Sequence, residues 1–101
     1  MANLIPTAEE CTSMTEVRVA IDDCDRRIVT LLAERMRYIE AAACIKQDRN
    51  AVRDEARKAE VIDHAAAVAA EAGFPPALAR AIYDLLVEGS ITHELERFDA
   101  R

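Results

Sequence analysis

Three cations stand where a helical stripe should hold only apolar residues. Arg18, Arg35 and Lys46 lie on or beside the series Val17, Ile21, Cys24, Ile28, Leu31, Leu32, Met36, Ile39, Ala42, Ala43 and Ile45. At 100° per residue, Arg35 and Lys46 fall within about 20° of each other on one helix. Arg18 lies about 100° from Arg35 and about 26 Å away along the axis. One small ligand cannot touch both from one straight helix, but an antiparallel second copy would bring Arg18 of one chain toward Arg35 of the other. Guanidinium forks hold carboxylates bidentately and an ammonium is a compact donor. Such a set is suited to holding a small dianion and stabilising negative charge on it. Two further groups stand out: the run Arg53-Asp54-Glu55-Ala56-Arg57-Lys58, and the pair Ser90 and Glu94, four apart on one helix face. Each has a plainer reading: cations snorkelling along an apolar face, a solvated helix start, a packed Ser and a solvated Glu.

The elements that must position these residues follow from periodicity. Residues 1–12 lack it and read as a flexible arm ahead of one helical domain over 13–101. Ser13-Met14-Thr15-Glu16 has the form of a capping box. From there spacings of three and four continue without Gly or Pro to about Asp48, predicting one amphipathic helix. Residues Arg49 to Arg53 read as a short, mobile polar loop. A second helix is predicted from near Asp54 through Ala72, with Gly73 as its stop. A third runs from about Pro76 to Phe98, with Gly89 as a weak point or a place of close approach. The fold class is therefore all-α, one long and two medium helices. The first helix, about 50 Å long, exceeds what two shorter helices of a small domain can cover. A two-fold homodimer is the simplest remedy. The rival, a coiled-coil rod, fits poorly with Arg18, Asp25, Arg35 and Lys46 along the seam.

Composition narrows the function classes. The 101 residues carry a net charge of −6 and 4% aromatics, which argues against nucleic acid. No run approaches the roughly 20 apolar residues of a membrane span. Met1 to Glu10 lacks the pattern of a signal peptide, so a cytoplasmic location is expected. Cys11, Cys24 and Cys44 show no metal-ligand spacing and are expected to pack as small buried residues. Neither a metal nor another cofactor is expected. His64 and His93 are expected at the surface, and Tyr38 and Tyr83 packed with their hydroxyls at the edge.

The run Val17-Arg18-x-x-Ile21-Asp22-x-x-Asp25-x-x-Ile28-Val29-x-Leu31-Leu32-Ala33-Glu34-Arg35, with Lys46 eleven residues on, resembles the all-helical chorismate mutase family. So do Val52-Arg53-Asp54-x-x-Arg57 and Glu88-Gly89-Ser90-Ile91-x-x-Glu94, and the resemblance covers about residues 13–98. It implies an intertwined dimer of three-helix chains, with Arg35 and Lys46 in one active site and Arg18 supplied by the partner chain. It implies chorismate as substrate and a Claisen rearrangement to prephenate, with no cofactor, on the shikimate route to aromatic amino acids. Arg18 and Arg35 would hold the two carboxylates, and Lys46 would donate to the ether oxygen as its bond breaks. Asp54 and position 58 would face the ring hydroxyl, Ser90 a carboxylate, and Arg57 would add positive potential.

Two residues depart from the family pattern. Lys58 stands where an acidic residue is common, and is expected to point to solvent or to alter how the ring hydroxyl is read. Glu94 stands where many bacterial members carry Gln as a second donor to the ether oxygen. A carboxylate there repels the developing charge, whereas a protonated Glu94 donates, so activity is expected to be highest at mildly acidic pH. Glu10-Cys11-Thr12 and Arg37-Tyr38-x-x-Ala41-Ala42 also resemble the isochorismate-pyruvate lyases, which share the fold and act on a similar dianion. A non-catalytic helical dimer that regulates a partner is the rival from a different class.

Overall fold

The computed structural model describes residues 5–101, all helix, turn and loop, with no strand among the described residues. Helix α1 spans Met14–Ile45, α2 Glu55–Ala72 and α3 Pro76–Asp99. Short 3-10 turns occupy Ala8–Glu10 and Arg49–Ala51. The chain divides into two units, Met1–Arg35 and Met36–Arg101, and the boundary falls within α1.

In the first unit, the expected capping box is present in modified form. Ser13 Oγ accepts from the Glu16 N–H at 3.2 Å. The Glu16 carboxylate reaches one residue further back, accepting from the Thr12 N–H at 2.8 Å and the Thr12 hydroxyl at 3.0 Å. The stretch read as an arm carries structure of its own in the turn at Ala8–Glu10, where the Thr7 N–H donates to Glu10 Oε1 at 2.9 Å. Residues 1–4 of that arm lie outside the described residues. A cleft of about 480 Å³ lies between this stretch and α1, lined by Ile5, Cys11, Val17, Ile21 and Cys24 among others. Ile21, Ile28, Val29 and Leu31 are all at least half exposed.

The second unit holds the core. Val52, Val87 and Ile91 are buried together, with Val61, Leu95 and Phe98 packed against them. Helices α2 and α3 pack on each other, and buried Ala66, Ala69 and Ala79 let their backbones approach closely. The turn between them follows from local chemistry. Gly73 adopts φ 79°, a left-handed conformation costly for other residues. The Phe74 N–H bonds back to Ala69 O at 2.8 Å and the Gly73 N–H to Ala70 O at 3.4 Å, a Schellman closure. Pro76 then opens α3 at a position that needs no N–H.

Several expectations are corrected. Helix α1 stops at Ile45 rather than near Asp48, because Asp48 turns its side chain to the Asn50 N–H at 2.9 Å and starts the 3-10 turn. The cysteines are not buried: Cys24 and Cys44 are exposed and Cys11 is half-buried. Tyr38 is 71% exposed rather than packed. His64 is exposed as expected, but His93 is half-buried, its Nε2 2.7 Å from Glu40 Oε2. A Cβ at Gly89 would meet open space, so no close approach occurs there within this chain.

One carboxylate ties the start of α2 to α3. Glu88 accepts from Arg53 at 2.7 and 3.0 Å and from Lys58 at 2.7 Å. The Arg53 guanidinium first, and the Lys58 ammonium second, hold its carboxyl down at about 2, against an ordinary 4.5. A depressed carboxyl stabilises the fold above its unfolded value and loses that contribution as pH falls through the folded value. The expected outcome is that wild-type protein exceeds Glu88→Gln in Tm at pH 6 and that the gap closes as pH falls from 4.5 toward 2. Thermal melts followed by circular dichroism check this; a gap that does not change with pH contradicts it.

Candidate active site

Lys46 and Glu94 are brought together. Lys46 follows the last turn of α1, its N–H still bonded to Ala42 O at 2.9 Å. Its Nζ stands 2.8 Å from Glu94 Oε2. Glu94 lies on the inward face of α3 and is only 4% exposed, while the Lys46 side chain is 30% exposed. The two charges are paired, yet the approach lies outside hydrogen-bond angles, and Oε2 has no hydrogen-bond partner. A buried carboxylate oxygen thus keeps unspent bonding capacity beside a partly exposed ammonium. One turn earlier on the same helix, Ser90 is buried and donates to Leu86 O at 2.7 Å. This is the back-bond a Ser makes to the preceding helical turn.

The start of α2 takes a more structural form than its sequence announced. Asp54 is the N-cap, its Oδ1 accepting from the Arg57 N–H at 3.0 Å. Arg57 is exposed and faces Glu60 at 3.5 Å. Lys58 corrects one of the two placements expected for it, the solvent-facing one. It is 18% exposed and reaches Glu88 at 2.7 Å and Asp84 at 3.0 Å. Those two carboxylates, Glu88 first, raise its pKa above the ordinary lysine value, so it stays charged.

Arg18 and Arg35 belong to the first unit, Arg18 exposed and Arg35 half-buried on α1. The first unit thus carries two guanidinium groups on α1, and the second an ammonium–carboxylate pair.

Three features escaped the sequence. The Glu88 cluster was foreshadowed by Asp84 and Glu88, an acidic pair four apart on one helix face. The Glu40–His93 contact, with Arg97 4.0 Å from Glu40, had no local signal. Its hydrogen bond from His93 is the main cause holding the Glu40 carboxyl below its ordinary value. Arg101, which bonds to the end of α1, had none either.

The described residues are helical, with Arg18 and Arg35 on the long helix and buried Glu94 paired with the partly exposed Lys46 just past the end of that helix. The chorismate mutase type II family matches residues 17–95, most of the chain, and the protein belongs to that family. It is also similar to an isochorismate pyruvate lyase of Pseudomonas aeruginosa, 29% identical over 90 residues that cover 89% of each chain. No helix among the described residues is long and apolar enough to cross a membrane.

Proposed function

We propose that the protein rearranges chorismate to prephenate, as a homodimer whose site takes Arg35 and Lys46 from one chain and Arg18 from the other. The observation that carries this reading is the Lys46–Glu94 pair: a charged donor held at a buried carboxyl, within a chain of this family. The rearrangement is intramolecular and pericyclic. The ether C–O bond breaks while a C–C bond forms, and partial negative charge builds on the ether oxygen. Arg18 and Arg35 clamp the two carboxylates and hold the substrate in a compact, chair-like conformation, so that orientation lowers the barrier. Lys46 donates to the ether oxygen, where its interaction is stronger in the transition state than in the ground state. Asp54 takes the ring hydroxyl, Ser90 a carboxylate, and Arg57 adds positive potential. Lys58 acts indirectly in this reading, through Asp84 and Glu88, by fixing the start of α2. The step uses no covalent intermediate and no cofactor.

Glu94 bears on the same oxygen. As a carboxylate it competes with the substrate for Lys46 and opposes charge on the ether oxygen, whereas a glutamine amide there is a second donor. The expected outcome is a higher kcat/KM on chorismate in Glu94→Gln than in the wild type. Rates of chorismate consumption check it, and an equal or lower rate in the variant would contradict it.

A second reading, elimination of pyruvate from isochorismate, is favoured by the name of the Pseudomonas relative. That step also builds charge on an ether oxygen and uses the same clamp. Incubating purified protein with each substrate separates the two. The mutase reading expects prephenate from chorismate and no salicylate from isochorismate. Salicylate with pyruvate overturns it in favour of the lyase, and no product from either leaves a non-catalytic helical dimer.

A further inference from the structure

The last four carbonyls of any helix lack partners within it, and the end of α1 has neither a capping glycine nor a basic residue in its last turn. Its cap comes from elsewhere. Just beyond α3, Arg101 Nη1 donates to Ala43 O at 3.0 Å and to Lys46 O at 2.6 Å. Ala43 is fully buried, so its carbonyl is a costly group to leave unpaired. The guanidinium sits 3.7 Å over the centroid of the Phe98 ring, which itself packs on the core. Its charge also lies at the negative end of the α1 dipole. A second tie follows three residues later: Arg49 donates to both carboxylate oxygens of Asp99 at 2.8 and 3.2 Å. That pair is exposed, so it contributes alignment more than energy.

We propose that Arg101 is a positioning residue for Lys46, fixing the backbone that carries the ammonium by capping the end of α1. The inference rests on the reading of Lys46 as the donor to the substrate. The Lys46 side chain has four rotatable bonds, and among the described residues its tip is paired with Glu94. Its aim therefore depends on where its backbone is held. The two bonds from Arg101 bracket Lys46 itself, one to its own carbonyl and one to the turn before. With the cap gone, the final turn frays and Nζ samples positions away from the reacting oxygen; a displacement near 1 Å at such a donor costs up to about 100-fold in rate.

The test compares the full wild-type chain with Arg101→Ala and Arg101→Lys. Two readouts are taken: kcat and KM on the substrate the wild type consumes, and amide hydrogen exchange over residues 43–49. Arg101→Ala is expected to lower kcat about tenfold with KM within twofold. Exchange at Lys46 and Gln47 should rise while the core of α3 stays protected. Arg101→Lys, which keeps a cationic donor at the carbonyls, is expected to restore part of kcat. Unchanged kcat in Arg101→Ala overturns the proposal, as does exchange at Lys46 that does not change. A fall in protection across the whole chain, with kcat per folded molecule intact, also overturns it by showing a merely structural role. If the wild type turns over neither chorismate nor isochorismate, the functional reading fails instead, and the exchange readout still decides whether Arg101 holds Lys46.

Discussion

Lys46→Ala is expected to lower kcat by about two to three orders of magnitude, the usual effect of removing one preorganised donor from a developing oxyanion. Among the described residues the ammonium is the charged group paired with buried Glu94, so the substitution has a second consequence. It leaves a 4%-exposed carboxylate without its cation, a loss of roughly 1–3 kcal/mol in stability. The two effects separate in the double variant Lys46→Ala/Glu94→Gln. Removing the charge on position 94 is expected to return Tm toward the wild type, and activity is expected to stay lost. Steady-state rates and thermal melts on the three proteins check this. Recovery of rate in the double variant would mean that Lys46 serves only to neutralise Glu94 and has no part in the chemistry.

Ile28→Glu is expected to be the other severe change. Ile21, Ile28 and Leu32 recur at seven and four residues along α1, which puts them on one face. They are 52%, 53% and 37% exposed in the single chain. Ala43 is the only buried residue of the 32 in α1. Apolar surface on this scale is covered by association at about 25 cal/mol per Å². Glutamate is a good helix former, so the substitution spares local helix propensity while placing a charge in the proposed interface. The wild type is expected to run at twice the 11.2 kDa chain mass, and Ile28→Glu at the single-chain mass with no detectable turnover. Size-exclusion chromatography with light scattering checks this. A wild type at the single-chain mass, or a dimeric and active variant, would contradict it.

Much of the fold was legible because helix signals are local. The 3.6-residue period, the Ser13–Glu16 cap, Gly73 and Pro76 each act within a turn or two, and each stands where its chemistry placed it. The end of α1 was misjudged because Lys46-Gln47-Asp48 contains no breaker. What ends the helix is a side-chain bond from Asp48 to the next turn and a cap donated by Arg101. Tertiary pairings were less accessible. Lys46 and Glu94 were each singled out by type and position, but their contact depends on how α3 packs. Lys58 was expected either in solvent or at the ring hydroxyl, because its partners Asp84 and Glu88 lie a helix away in sequence. The exposed cysteines show the same limit from the other side: an apolar stripe reports that burial is needed, not which chain supplies it.

A site assembled from two chains is tested most directly by mixing two inactive variants. Arg18→Ala and Lys46→Ala are each expected to be inactive alone. Unfolded together and refolded as a mixture, half of the dimers pair one of each, and every such dimer has one site with an intact Arg18 facing an intact Lys46. Activity is then expected to return to about a quarter of the wild-type level. A mixture as inactive as its two components would show that Arg18 and Lys46 do not meet across a dimer, and would contradict the shared site.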